Sequence, residues 1–183
     1  MALRIKSHWH GDSERSTQDM ASAIAFIAWR IAMDKAINLH GEDFVYEGDE
    51  QRMAVIREYL YFQLQIVDRM AYGIMEDGER HSLIVQLALK LAEHVQDNGV
   101  DLFGPDDYGK PFIETVNRRG AEYAEFGFSD DGPSYPFMRH LGYEIQGIMG
   151  DREQNRWVID QVMDQDGLDV YRQLSRALRN LME

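Results

Sequence analysis

The strongest helical periodicity in this chain lies in residues 50–75, EQRMAVIREYLYFQLQIVDRMAYGIM. Apolar residues recur there at spacings of three and four, the repeat of a helix with one buried face. That face carries Met53, Ile56, Leu60, Leu64, Val67, Ala71 and Ile74. The charged residues expected to lie off it are Arg52, Glu58, Asp68 and Arg69. Since a helix with such a face needs other helices to cover it, the segment predicts a helical bundle.

Apolar repeats before and after this segment predict further helices. Residues 16–38 begin with Ser16 as the N-cap and carry two apolar stripes, which makes this helix our candidate for the centre of the bundle. The second stripe consists of Phe26, Trp29, Met33 and Ile37. A third helix is predicted to stop at Asn98 and Gly99, a pair that suits a left-handed C-terminal cap. These three helices form the predicted core.

The C-terminal half of the chain continues the helical pattern. Pro111 and Pro136 each suit the start of a helix, where the missing N–H of proline is not needed. Gly150 is predicted to stop the second of these helices, and apolar repeats continue to the C-terminus. Strand-like alternation is not sustained anywhere. We therefore predict an all-α fold, a single-domain bundle of six or seven helices over residues 16–183, preceded by a polar N-terminal arm over residues 1–15.

An aromatic, Pro/Gly-rich loop region between residues 99 and 137 interrupts this pattern. All four prolines of the chain and five of its eight phenylalanines fall there. Because irregular segments commonly carry the site or the interface of a protein, we predict that this region contacts a protein partner. The residues predicted to make that contact are Phe103, Tyr108, Phe126, Phe128 and Tyr135. Two alternatives stay open: the aromatic side chains cap the end of the bundle, or they enclose a pocket for a small ligand.

Two pairs of histidine and carboxylate residues are candidates for a metal site between helices. His94 lies three residues before Asp97, and His140 lies four residues before Glu144, so each pair shares a helix face. Ferritin-like di-iron proteins use carboxylates and Glu-x-x-His pairs from facing helices. This chain has no Glu-x-x-His, and its pairs run in the reverse order. A histidine hydrogen-bonded to its acidic neighbour is the simpler alternative.

Two further histidines lie near the N-terminus, in the sequence HWHGD at residues 8–12. This sequence resembles the His-x-His-x-Asp-His zinc motif of the metallo-β-lactamase superfamily, and His8 and His10 can reach one metal from an extended segment. Ser13 stands where that motif has its last histidine. Because that superfamily needs a β-sandwich and this chain shows no strands to build one, no activity is inferred from the resemblance.

The composition limits the partners that this chain can have. Its 183 residues include 32 acidic and 19 basic ones, and the formal charge of -13 repels nucleic acid and anionic membranes. Cysteine is absent, which excludes disulfides, thiolate nucleophiles and zinc-thiolate sites. A local exception to the acidic charge is a basic strip formed by Arg172, Arg176 and Arg179. It is interpreted as a solvated helix face beside the acidic residues Asp164, Asp166 and Asp169.

Motifs for catalysis are absent from the sequence, which has no phosphate-binding glycine loop, no serine elbow and no complete EF-hand loop. No cofactor is required by the sequence. The leading prediction is a soluble cytoplasmic protein that acts through protein–protein contacts, as a homo-oligomer or as an adaptor or regulatory partner, without nucleic acid or membrane. The alternative is a helical bundle that binds a metal or a small ligand between its helices, with enzymatic activity left open.

Overall fold

Helices make up most of residues 13–182, the part of the chain that the computed structural model describes. In chain order they are α1 (Ser13–Gly41), α2 (Asp49–Ala71), α3 (Asp77–Phe103), α4 (Gly109–Ala124), α5 (Tyr135–Met149), α6 (Val158–Gln161) and α7 (Gly167–Met182). A π-helical turn, Val162–Asp166, connects α6 to α7. No helix among these residues has both the length and the apolar composition needed to cross a membrane. The all-α helical bundle predicted from the sequence is confirmed.

The central helix of the bundle is α2, and the prediction that residues 16–38 form it was wrong. Helix α2 packs against α1, α3, α4, α5 and α7, and it is covered on all sides beyond its first turn. Helix α1 buries a face of small side chains that includes Ala25 and Ala28. It leaves Phe26 and Ile37 more than half exposed. These two residues lie on the solvent-facing side of α1, whereas Trp29 of the same stripe is buried in the core.

Helix α3 ends later than the sequence predicted. The predicted stop at Asn98 and Gly99 lies inside the helix, which continues to Phe103 and is capped by Gly104 with a φ of 91°. Gly99 is a packing position, because a Cβ atom placed there would lie only 2.5 Å from the Tyr108 ring. The missing side chain lets that ring lie against α3. The irregular region therefore begins at Gly104, and it contains α4.

Both predicted proline starts are confirmed. Pro111 lies in the first turn of α4, and Pro136 lies in the first turn of α5. The Ser134 hydroxyl caps α5 by accepting a hydrogen bond from the Phe137 backbone N–H at 3.4 Å. Gly150 ends α5 with a φ of 81°, as predicted. These caps set the position of α5, the helix that carries the surface described below.

A short antiparallel hairpin precedes α5. It consists of β1 (Phe128–Ser129) and β2 (Gly132–Pro133), joined by a two-residue tip. The hairpin packs on α7 through an aromatic contact in which the Phe128 and Tyr171 ring centroids lie 6.0 Å apart. This contact brings the acidic tip of the hairpin next to the C-terminal helix.

Some of the predictions for the N-terminal region concern residues outside the part of the chain that the structure describes. Helix α1 already includes Ser13, so Ser16 lies inside the helix and the predicted N-cap was wrong. His8 and His10 lie outside the described residues. The division into an arm over residues 1–15 and a domain over residues 16–183 stays a prediction.

Candidate functional site

A buried arginine, Arg119 of α4, lies between α2 and α5 and binds three glutamates. Its Nε and Nη2 atoms donate to the two carboxylate oxygens of Glu58 at 3.1 and 2.8 Å. Its Nη2 atom also donates to Glu144 Oε2 at 2.7 Å, and its Nη1 atom donates to Glu122 Oε2 at 2.9 Å. The guanidinium thus ties α2, α4 and α5 together. We call Arg119, these three glutamates and His140 the Arg119 centre.

His140 of α5 completes the Arg119 centre. Its Nε2 atom lies 2.9 Å from the Glu122 oxygen that also accepts from Arg119. The imidazole packs edge-on against Tyr123, with ring centroids 4.8 Å apart, and its centroid lies 5.5 Å from that of Phe126. The hydrogen bond and the two ring contacts together hold the imidazole in one orientation.

The local sequence explains why these charged groups meet between helices. On α4, Arg119 precedes the buried Tyr123 by four residues, so both side chains lie on the inward face. On α2, Glu58 has no solvent-facing side available, because neighbouring helices surround it. On α5, His140 and Glu144 are one helical turn apart and face the same neighbour. Three separate helices therefore deliver their polar groups to one point.

The charges of the Arg119 centre do not balance, because one guanidinium faces three carboxylates. Burial raises the pKa of Glu58, although the hydrogen bonds and the charge of Arg119 oppose that rise. Burial also acts to raise the pKa of Glu122, but the hydrogen bonds from His140 and Arg119 outweigh it, and the pKa of Glu122 is lowered. Opposite pKa shifts in neighbouring carboxyl groups are typical of functional sites, although structural ion pairs produce them too.

An open pocket of about 450 Å³ adjoins the Arg119 centre, with His140 in its wall. The residues that line it are Phe126, Tyr135, Pro136, Arg139, His140 and Tyr143. Tyr135 and Tyr143 are 70% and 60% exposed, and Arg139 between them is also exposed. These three residues follow one another at four-residue spacing and form one face of α5. We call this face the α5 surface.

Three groups of the Arg119 centre have the arrangement of metal ligands. One ligand atom each from Glu122, His140 and Glu144 lies within 4.8 Å of the other two. One imidazole with two carboxylates is a donor set that suits Zn²⁺, Fe²⁺ or Mn²⁺. Arg119, however, donates hydrogen bonds to both carboxylates. A metal ion in this position has to displace the guanidinium from them.

The four residues predicted as metal ligands fall in two places. His140 and Glu144 belong to the Arg119 centre. His94 lies on α3, where its ring stacks on Trp29 of α1 with ring centroids 5.5 Å apart. Asp97 is exposed on the same helix. The two pairs do not meet, because His94 faces α1 and not α5.

The five aromatic residues predicted to contact a partner also fall in separate places. Phe103 and Tyr108 lie against each other near the end of α3, with ring centroids 6.1 Å apart. Phe126 and Tyr135 line the pocket beside His140. Phe128 lies half-buried on the hairpin. Of the five, Phe103 and Tyr135 are exposed, at 41% and 70%. Proline and aromatic content located the loops before α4 and before α5, but the five residues do not form one shared surface.

Sequence reasoning missed several residues of the site, namely Arg119, Glu58, Glu122, Arg139 and Tyr143. Glu58 was predicted to lie off the buried face of α2, but it is buried because that helix is enclosed on all sides. A signal for Arg119 was present, since it lies at helical spacing between the apolar residue Val116 and the aromatic residue Tyr123. A signal for Tyr143 was also present, since it lies eight residues, about two helical turns, after Tyr135.

Comparison of the chain with protein-family models, with curated proteins and with solved structures finds no match. No relative therefore supplies a reaction, a ligand or a partner. The features of this chain that bear on function are the Arg119 centre, the pocket beside it and the α5 surface.

Proposed function

We propose that this is a cytoplasmic protein that works by binding another protein through the α5 surface. The observation that carries the proposal is the exposure of Tyr135 and Tyr143, at 70% and 60%, on either side of Arg139. Tyrosine and arginine are among the residue types that most often dominate the energy of a protein interface. Aromatic side chains left open to solvent together in this way favour a contact surface.

The Arg119 centre supports this proposal because it fixes the helix that carries the surface. Glu144 and His140 belong to α5, and they bind Arg119 and Glu122 of α4 on the side that faces the bundle. Glu58 extends the same network to α2. A surface held rigid before binding loses less conformational entropy when a partner docks. The buried charges therefore have a role in positioning α5.

The pocket beside the α5 surface indicates what the partner presents. Its walls are mainly aromatic, from Phe126, Tyr135 and Tyr143, which suits an apolar side chain. The exposed guanidinium of Arg139 adds hydrogen-bond donors that suit a carboxylate. The partner that fits is a protein segment that carries an apolar side chain next to an acidic one.

Site-specific photo-cross-linking in the cells that make the protein tests this proposal. A benzophenone amino acid at position 143 is expected to capture the partner. The same amino acid at position 26 is the control, because Phe26 is 56% exposed on a different helix and is followed four residues later by Arg30. The captured protein is then purified, and its dissociation constant is measured. Tyr135→Ala/Tyr143→Ala is expected to weaken binding about thirtyfold or more, and Phe26→Ala to leave it unchanged.

The outcomes distinguish a foreign partner from a second copy of the chain. Capture of the same chain, together with a dimer in sedimentation equilibrium that Tyr135→Ala/Tyr143→Ala dissociates, identifies the homo-oligomer expected from the sequence. A different captured protein whose affinity falls in the double variant identifies an adaptor or regulatory partner. A dissociation constant that the double variant leaves unchanged contradicts the proposal, whichever protein was captured.

A second candidate function is the binding of a divalent metal ion by Glu122, His140 and Glu144. The observation that favours it is the grouping of their ligand atoms within 4.8 Å. The excess of carboxylates over guanidinium in the Arg119 centre also favours an added cation. Binding requires Arg119 to release two of its three carboxylates, which predicts a modest affinity.

Calorimetric titration with Mn²⁺ and Zn²⁺ tests the metal hypothesis. His140→Ala is expected to abolish binding, because it removes the one nitrogen ligand of the group. His94→Ala is the matched control, since His94 stacks on Trp29 and lies outside the group. Absence of binding to the wild-type protein, or equal binding to all three proteins, contradicts the hypothesis.

A further inference from the structure

The basic strip on α7 is a row of exposed arginines, none of which forms an ion pair with another described residue. Arg172, Arg176 and Arg179 are exposed at spacings of four and three, on the face opposite the buried Leu174 and Leu178. Among the described residues, no carboxylate oxygen lies within 4.0 Å of any of the three guanidinium groups. In a chain with 32 acidic residues, three neighbouring arginines that form no ion pair within residues 13–182 are unexpected.

Two of the three acidic residues expected beside this row form contacts with other side chains. Asp169 pairs with Lys35 of α1 and accepts a hydrogen bond from Gln173 at 2.8 Å. Asp166 is buried in the π-helical turn, where Gln161 donates to it at 3.3 Å. The three arginines are exposed, as the interpretation of a solvated helix face expected, and the charge of Arg172 acts on Asp169 without forming an ion pair with it.

The arginine row forms one wall of an open groove of about 510 Å³. The opposite wall is the tip of the hairpin, with Asp130 and Asp131, and Tyr171 also lines the groove. Gly132 fixes the distance between the walls, because its φ is 105° and a Cβ atom there would lie 2.5 Å from the Tyr171 ring. We call this feature the arginine groove.

We propose that the arginine groove binds a small phosphorylated ligand that also carries hydroxyl groups. Arginine presents a planar fork of N–H donors that matches phosphate oxygens, and three such forks lie on one wall. The carboxylates of Asp130 and Asp131 on the other wall accept hydrogen bonds and suit sugar hydroxyls. The same two carboxylates, with the net charge of -13, disfavour a nucleic acid or an anionic membrane.

Calorimetry with three probes tests both halves of this proposal. Ribose 5-phosphate carries the phosphate and the hydroxyl groups, inorganic phosphate carries the first, and ribose carries the second. At one fixed ionic strength, ribose 5-phosphate is expected to bind more tightly than either fragment, because it reaches both walls of the groove. Ribose binding as tight as that of ribose 5-phosphate overturns the phosphate assignment, and so does the absence of ribose 5-phosphate binding.

Substitutions on each wall locate the binding. Arg172→Gln, Arg176→Gln and Arg179→Gln are each expected to weaken ribose 5-phosphate binding about tenfold, the effect of losing a charged hydrogen bond. Arg30→Gln changes the net charge equally but lies on α1, and it is expected to have no effect. An equal loss in Arg30→Gln overturns the proposal, because binding then depends on overall charge alone.

The acidic wall is tested by the double variant Asp130→Asn/Asp131→Asn. Removing two negative charges is expected to tighten the binding of inorganic phosphate, and to reduce the preference for ribose 5-phosphate over inorganic phosphate. An unchanged preference overturns the assignment of hydroxyl recognition to this wall. Because the arginine groove and the α5 surface do not share residues, failure of either proposal leaves the other testable.

Discussion

Two groups of arginines in this molecule differ in where their partners come from. Arg119 is buried, and its guanidinium is shared among three carboxylates of its own chain. Arg172, Arg176 and Arg179 are exposed, and the ion pairs of the described residues include none of them. An arginine that is satisfied within the fold positions helices, whereas an arginine without an internal partner is available to a ligand.

The comparison also shows that net charge is a poor guide to local charge. The chain carries -13, yet the arginine groove concentrates positive side chains on one wall. Conversely, the Arg119 centre contains an arginine and a histidine but has more carboxylates than guanidinium groups. The local balance of charges, and not the total, decides which ligand each region can accept.

The largest expected effect comes from removing the buried arginine. Arg119→Met leaves three carboxylates without their common partner, and it is expected to lower the free energy of unfolding by about 3–5 kcal/mol. The exposed counterpart, Arg176→Met, is expected to change it by less than about 0.5 kcal/mol. Urea denaturation of the three proteins measures both values.

A second substitution separates lost charge balance from lost packing at Arg119. Adding Glu58→Gln to Arg119→Met removes one of the unpaired carboxylates, so part of the lost stability is expected to return. A loss of less than about 1 kcal/mol in Arg119→Met, or no difference between the single and double variants, would show that the Arg119 centre does not depend on this ion pairing.

A smaller effect is expected where the hairpin meets the arginine groove. Gly132→Ala introduces a Cβ atom against Tyr171 at a φ of 105°, and it is expected to cost about 1–3 kcal/mol and to weaken ribose 5-phosphate binding. Gly147→Ala is the matched control, because Gly147 is helical and has no atom within 4 Å of the added Cβ. It is expected to raise the free energy of unfolding by about 0.5–1 kcal/mol. Equal effects of the two substitutions on thermal unfolding would contradict the close packing of the hairpin against the Tyr171 ring.

Glu122 and Glu58 are expected to change the free energy of unfolding in opposite directions as the pH changes. The pKa of Glu122 lies below its ordinary value of 4.5, so its contribution is present above that value and is lost as the pH falls through the folded-state pKa. The pKa of Glu58 is raised, so its contribution is present below 4.5 and is lost as the pH rises through the folded-state pKa. Arg119 and His140 act on both carboxyl groups, and the charge of Glu144 acts to raise the pKa of Glu58.

Glu122→Gln isolates the share of Glu122 in the loss of stability at acidic pH. Asp169 also contributes to that loss, because its pKa is lowered by the hydrogen bond from Lys35. The stability difference between wild type and Glu122→Gln is expected to shrink as the pH falls from about 5 to about 3. Chemical denaturation at several pH values measures this difference. A difference that stays constant over the range would mean that Glu122 is not charged preferentially in the folded protein.

The smallest effect on stability is expected from neutralising the exposed row. Arg172→Gln and Arg179→Gln are each expected to change the free energy of unfolding by less than about 0.5 kcal/mol, because both side chains are exposed and neither forms an ion pair with another described residue. Thermal unfolding at low ionic strength, where surface charges are least screened, is the most sensitive check. A loss above about 1 kcal/mol would indicate an internal partner for the row.

The sequence predicted the helices well because their signals are local. Apolar spacing located the helices of the bundle, and Pro111, Pro136 and Gly150 located three helix ends. Gly99 was misread as a helix end because its role depends on the Tyr108 ring, which lies further along the chain. Local propensity cannot distinguish a glycine that ends a helix from one that admits a ring.

The candidate site was less predictable because it depends on contacts between helices. His140 and Glu144 could be chosen from their spacing on α5, but the Glu58 and Arg119 contact joins residues 61 positions apart. Asp169 shows the same limit, since its partner Lys35 lies 134 positions away. Periodicity assigns a residue to a helix face, but it does not say which other helix that face meets.

The comparison between the two groups of arginines is tested most directly by the side-chain Nε–Hε signals of arginine in a nuclear magnetic resonance titration with ribose 5-phosphate. We expect the signals of Arg172, Arg176 and Arg179 to shift together and saturate, while the signal of Arg119 stays unchanged. A shift at Arg119, or no shift at the three exposed arginines, would contradict the claim that one group is satisfied within the fold and the other is available to a ligand.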